Sequence, residues 1–276
     1  MTQWQRCEGA AAGLDLTILL DDDASQLASR LQDLKDFIGA LPATTDVAVG
    51  YLHTGAVQVA QNFTFNHALA ASKLRAPTGD PNSSPSPFGS LRWLLQRWPA
   101  QPGRRHEMIL LSDGEEHIGG NNGNNVALVQ ALGTAVQAGV VVYTIYVTGA
   151  AEDTSIPSEL GSGGAYGGGD LAGMPGATMG KIVNVPTAMA DTNQGLANLG
   201  TLAHFTGGQD YAQGSSTPTR LKPFLDDIAV RLQSQYRLAL TPAPATRPGL
   251  AAIQIQLQHA DGARVTAPQR IFVGRP

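Results

Sequence analysis

The chain has one cysteine, Cys7, in 276 residues, which excludes an internal disulfide framework and any zinc site built from several cysteines. Its place near the start reads as a thiol on a frayed terminus. Charge is scarce as well: 14% of the residues are charged, against about 25% in an ordinary soluble domain, so this is not a highly charged disordered tail. Lys plus Arg number 18 against 22 for Asp plus Glu; the basic excess that phosphate backbones require is missing, and nucleic acid is excluded as an expected partner. The longest clean apolar run, Val140 to Val147, has eight residues, where a membrane helix needs roughly 20. No membrane span is expected. The first 25 residues lack the basic and apolar regions of a secretory signal, which predicts either a cytoplasmic protein or a mature, trimmed form.

Glycine and proline, at 32 and 17 residues, are concentrated in a few loops between strongly patterned segments. Residues 14–20 read as a strand that stops in Asp21-Asp22-Asp23. Leu27, Leu31, Leu34, Ile38 and Leu41 then mark one helical face, closed by Pro42. Residues 46–63 read as two strands around the turn His53-Thr54-Gly55, an antiparallel edge hairpin. A linker from Pro77 to Pro87 leads to a helix around Phe88 to Trp98. The strand Met108-Ile-Leu-Leu111 again ends in acid, at Asp113-Gly114-Glu115. A helix from about Asn124 to Ala138 and a strand from Val140 to Val147 follow, and further helices are expected near 187–205 and after a Thr217-Pro218 start. This alternation predicts an α/β fold: a Rossmann-like, doubly wound, mostly parallel sheet with one antiparallel edge strand.

From Tyr236 onward the chain carries a net +4, leaving −8 for the rest. The alternation Ile253-Gln-Ile-Gln-Leu-Gln258 predicts a half-buried strand, Asp261-Gly262 a turn, and Val265 to Val273 a returning strand broken by Pro268. The expected domains are therefore 1–235, an α/β core, and 236–276, a small antiparallel β extension that either stands apart or adds strands to the core sheet. Residues 148–184 contain ten glycines and no period. They leave the carboxyl end of a core strand, where such a loop would flank a ligand site.

Ligands of doubly wound sheets collect at the carboxyl ends of the strands, near the switch point. Two strands here end there in acid, at Asp21, Asp23 and Ser25 and at Asp113. Converging carboxylates repel and raise one another's pKa, and a divalent cation with oxygen ligands would relieve this. Against that stands ordinary turn and cap chemistry, which also selects Asp.

Thr17-Ile-Leu-Leu-Asp21-x-Asp23-x-Ser25 resembles the acidic signature of von Willebrand factor type A domains, and Met108-Ile-Leu-Leu-Ser-Asp113-Gly their second acidic turn. His67-Ala-Leu-Ala-Ala, Ser86-Pro87-Phe88-Gly-Ser-Leu91, Leu202-Ala-His-Phe-Thr-Gly-Gly208 and Ser234-Gln-Tyr-Arg-Leu238 are similar to segments of the bacterial von Willebrand factor A-related proteins first catalogued in Acidobacteria. The resemblance implies a metal-ion-dependent adhesion site holding one Mg²⁺, or Mn²⁺ or Ca²⁺, with Asp21, Asp23, Ser25 and Asp113 as ligands. The loop threonine of the family has no counterpart here; Ser86 takes its place, with Ser84 second. Glu115 and His117 would line the ligand face. Asp23 stands where the family has a neutral serine, which weakens the field left to attract a partner's carboxylate.

The resemblance further implies a non-enzymatic protein-binding module located outside the cytoplasm. Two rival readings use the same residues. One is a degenerate, metal-free assembly domain. The other is a haloacid dehalogenase-type phosphatase with Asp21 as nucleophile and Asp23 as general acid; that scheme also needs a lysine and a late strand ending in a Gly-Asp turn, and Gly169-Asp170 has no apolar strand before it, with Lys181 the only lysine nearby. The six histidines show no metal-like spacing, and Trp93 and Trp98 read as helix packing.

Overall fold

A computed structural model of the chain describes residues 2–7, 13–80, 86–98, 103–116, 126–149, 185–240, 249–256 and 265–273. Ser84, His117, the Asp261-Gly262 turn and nearly all of the glycine-rich segment fall outside these.

The strands are β1 (Thr2–Arg6), β2 (Leu14–Asp21), β3 (Thr45–His53), β4 (Ala56–Thr64), β5 (Arg105–Ser112), β6 (Val140–Tyr146), β7 (Asp210–Tyr211), β8 (Tyr236–Leu240), β9 (Gly249–Ala252) and β10 (Arg270–Val273). The helices are α1 (Leu31–Ala40), α2 (His67–Ser72), α3 (Pro87–Leu95), α4 (Val126–Ala138), α5 (Val185–Thr206) and α6 (Lys222–Gln233), and a 3₁₀ segment (Ser25–Arg30) precedes α1. Six strands form one sheet in the order β4-β3-β2-β5-β6-β7, all parallel except the β3–β4 hairpin. The expected doubly wound sheet with one antiparallel edge is thus the observed one. Winding runs outward from β2 to one side and from β5 to the other, so the switch point lies between β2 and β5.

A parallel sheet covered on both faces needs strands that are apolar throughout, and every residue of β2 is buried. Leu16, Ile18 and Leu20 pack with Phe37 and Ile38 of α1 and Leu225 and Ile228 of α6. On the other face Leu19, Met108 and Leu110 pack with Phe88 and Leu91 of α3, Leu128 and Leu132 of α4, and Leu199 and Leu202 of α5. The β3–β4 turn is where it was expected, with Thr54 and Gly55 at φ 46° and 75°, the left-handed pair that a two-residue hairpin demands.

The structure corrects several expectations. Cys7 is not on a frayed end: it is buried, its N–H donates to Gln235 O at 3.0 Å, and the strand before it, β1, pairs antiparallel with β8. Sequence gives no sign of this pairing because the partners lie more than 200 positions apart. Helix α6 starts at Lys222, not at Thr217-Pro218. Its first amides, of Leu221 and Lys222, donate to Asp33 Oδ2 of α1 at 2.8 and 3.1 Å, while Thr217 Oγ1 contacts Thr148 Oγ1 at 2.7 Å. In the tail β9 precedes the Ile-Gln alternation, and β9 and β10 form a separate two-stranded sheet. Ile253 is tied to it by one bond, its N–H donating to Gln269 O at 3.1 Å. Neither tail sheet joins the six-stranded one. Among the described residues no helix is long and apolar enough to cross a membrane.

Candidate functional site

The carboxyl ends of β2 and β5 deliver two acidic turns to the switch point. Asp21, Asp22, Asp23 and Asp113 are all buried, although nothing in a turn compels burial. Ser112, the last residue of β5, donates its hydroxyl to Asp21 Oδ2 at 2.6 Å and accepts from Gly114 N at 3.0 Å. The bridge couples the two turns directly. Asp113 Oδ1 accepts from Glu115 N at 2.9 Å, and Gly114 closes the turn at φ 70°, with no room for a Cβ against Gly195 O and Leu199 of α5.

Gly149, just beyond β6, shows where the turns converge. A Cβ placed there would collide with Asp113 Oδ2 and lie 3.1 Å from Asp23 Oδ2. Two carboxylate oxygens from different turns therefore lie within 3.1 Å of one point. Asp23 is pushed up to about 10, first by burial, then by the charges of Asp21 and Asp113, by a hydrogen bond with the Asp21 carboxyl, and by Glu115. Among the described residues its Oδ1, which is buried, has no hydrogen-bond partner. A buried atom of that kind costs about 1–3 kcal/mol.

The other predicted residues have more ordinary surroundings. Ser86 is the N-cap of α3, accepting from Gly89 N at 3.0 Å. Ser25 follows Asp23 in the same turn, its N–H donating to Asp23 O at 2.8 Å. Among the described residues no group of three or more His, Cys, Asp or Glu side chains is arranged to hold a metal ion. The donors that do converge are all oxygens, the set suited to a hard cation such as Mg²⁺ or Ca²⁺.

Sequence reasoning missed three participants. Ser112 carries a faint signal, a polar residue closing an apolar strand. Gly149 carries none beyond being glycine. Asp22, between the two predicted ligands, is turned to other work: Arg75 Nη1 and Nη2 donate to its oxygens at 2.6 and 3.2 Å, and Thr78 N at 3.2 Å.

No protein-family model matches the chain, nor does any curated protein. Solved structures do resemble it. The conserved hypothetical protein BatB from Bacteroides thetaiotaomicron is 16% identical with a TM-score of 0.50, over 80% of this chain and 97% of that one. An aerotolerance-related membrane protein from Bacteroides fragilis NCTC 9343 is 16% identical at 0.48, over 80% and 98%. The SpRpn10 VWA domain is 8% identical at 0.42, over 78% and 94%. In its element order and its mixed six-stranded sheet flanked by helices, the chain has a von Willebrand factor A-type fold.

Proposed function

We propose that the chain is a non-enzymatic protein-binding module in which Asp21, Asp23 and Asp113, with the hydroxyls of Ser25 and Ser86, hold one divalent cation. The observation that carries this reading is the convergence of Asp23 Oδ2 and Asp113 Oδ2 on one point beside Gly149, together with Asp23 Oδ1, unpartnered among the described residues. When bound, the cation would neutralise the repelling carboxylates and offer an open position to an acidic side chain of a partner. The chain's own contribution is to hold the donors: Ser112 orients Asp21, the Glu115 amide orients Asp113, and burial withholds competing water. Three carboxylates more than neutralise a divalent cation, so capture of the partner's acidic group rests on the surrounding contacts more than in a serine-rich site.

The metal-free assembly domain is favoured by a different observation. Asp23, buried beside the charges of Asp21 and Asp113, is pushed up to about 10, so the turn holds a proton there at neutral pH without any cation. Calorimetry with Mg²⁺, Mn²⁺ and Ca²⁺ separates the readings. Binding that Asp21→Ala abolishes supports the cation site; no heat at millimolar ion, with wild type and variant alike, supports the assembly domain. Turnover of p-nitrophenyl phosphate that Asp21→Asn abolishes would replace both with an enzyme.

A further inference from the structure

We propose that Thr78 and Arg75 are positioning residues for the candidate cation site, latching the acidic turn from outside; this rests on the cation-binding reading. The turn from Asp21 to Ser25 contributes three of the five proposed ligands. Its sequence, Asp-Asp-Asp-Ala-Ser, contains neither glycine nor proline to set its shape. Within the turn, Ala24 N donates to Asp21 O at 3.3 Å and Ser25 N to Asp23 O at 2.8 Å.

The stronger restraint comes from residues 75–79. Thr78 Oγ1 and Gly79 N both donate to Asp22 O, at 2.9 and 3.0 Å. Thr78 N and the Arg75 guanidinium take up the Asp22 carboxylate. Gly79 also lies flat against Ser25, where an added Cβ would come within 2.9 Å of Ser25 Cβ. Arg75 is itself anchored in the core, because the buried Tyr51 hydroxyl accepts from Arg75 N at 2.7 Å and donates to Arg75 O at 2.9 Å. The Tyr51 ring lies under the guanidinium, 3.9 Å from its carbon.

The latch does two things. It consumes Asp22, so that Asp21 and Asp23 on either side are the carboxylates left for the site. It also orders the turn before any ion arrives, which removes that ordering cost from binding. Partners outside the ligand shell typically change metal affinity 10–100-fold.

Thr78→Val removes one hydroxyl and Arg75→Lys the two-pronged contact, neither changing the charge, while Thr78→Ser keeps the hydroxyl. Mn²⁺ titration and amide exchange on the metal-free protein read the two halves of the idea. In Thr78→Val and Arg75→Lys, exchange at Gly79 and Ser25 is expected to quicken while Ile18 in β2 is unchanged, and Mn²⁺ affinity to fall about tenfold. Thr78→Ser should restore both. Wild-type affinity in Thr78→Val, or unaltered exchange at Gly79, overturns the latch. Absence of Mn²⁺ binding by the wild type overturns the cation reading itself, and the latch with it.

Discussion

At the amino ends of β2, β3 and β5, Asp15 stands in register with Asp46 on one neighbouring strand and His106 on the other. Arg104 donates to Asp15 Oδ1 and to Leu14 O, and His106 Nε2 lies 3.6 Å from Asp15 Oδ2. At the carboxyl ends of the same strands Asp21, Asp23 and Asp113 crowd together with a serine hydroxyl, and among the described residues no guanidinium meets Asp23. Both poles bury carboxylates, yet Asp15 has Arg104 on it, whereas Asp23 faces the like charges of Asp21 and Asp113. Burial of acid is therefore no sign of function here; burial against like charge is. Asp22 makes the same point within the turn, since Arg75 satisfies it in the structural way.

The largest test of that contrast removes the counterion. Arg104→Ala should destabilise the fold by about 3–5 kcal/mol, because Asp15, fully buried, loses its guanidinium and keeps only His106 at 3.6 Å; urea unfolding measures it. The opposite sign is expected at the other pole. With Asp23 held near 10, folding at neutral pH must take up a proton, so Asp23→Asn should stabilise the cation-free protein by up to about 4 kcal/mol. Millimolar Mg²⁺ should raise the melting temperature of the wild type and not of this variant; loss of stability in Asp23→Asn without cation would break the comparison.

Glu107 is the intermediate case, a buried carboxylate whose arginine is only 3.4 Å away, with Gln235 Nε2 donating at 2.9 Å. Burial pushes it from 4.5 up to about 7, against Arg105, Gln235 and Tyr143, which lower it. A carboxyl raised on folding is protonated more readily in the native state, so its contribution is present below pH 4.5 and is lost as pH rises through 7. The stability of wild type minus Glu107→Gln should fall by up to about 3 kcal/mol across that window, measured by denaturation at a series of pH values. A flat difference would mean that the arginine compensates the charge fully. The smallest effect belongs to the surface. Lys222 and Asp226 meet at 2.8 Å on the exposed face of α6, and Asp226→Ala should change stability by less than about 0.5 kcal/mol.

The acidic turns were legible because each follows an apolar strand immediately, so a few consecutive residues place the carboxylates at the strand's carboxyl end. Whether those carboxylates are ligands, caps or ion-pair partners was not legible, since that depends on what stands across from them. Asp22 looks like its neighbours in sequence and is distinguished only by Arg75 and Thr78, more than 50 positions away. Ser86 reads equally well as a ligand and as the start of a helix, and its hydrogen bond to Gly89 N reveals the cap.

Alternation of strand and helix, the Thr54-Gly55 turn and the two acid-terminated strands were set by the sequence alone, because each is a local preference: side-chain periodicity, left-handed backbone, polar groups at a chain reversal. Tertiary structure decided the rest. It chose Asp33 over Thr217 to cap α6, drew β1 onto β8, kept the tail strands out of the core sheet, and brought Asp23, Asp113 and Gly149 to one point. Each of these joins segments remote along the chain, and their meeting depends on how two helical layers close over one sheet, which no short stretch of residues encodes.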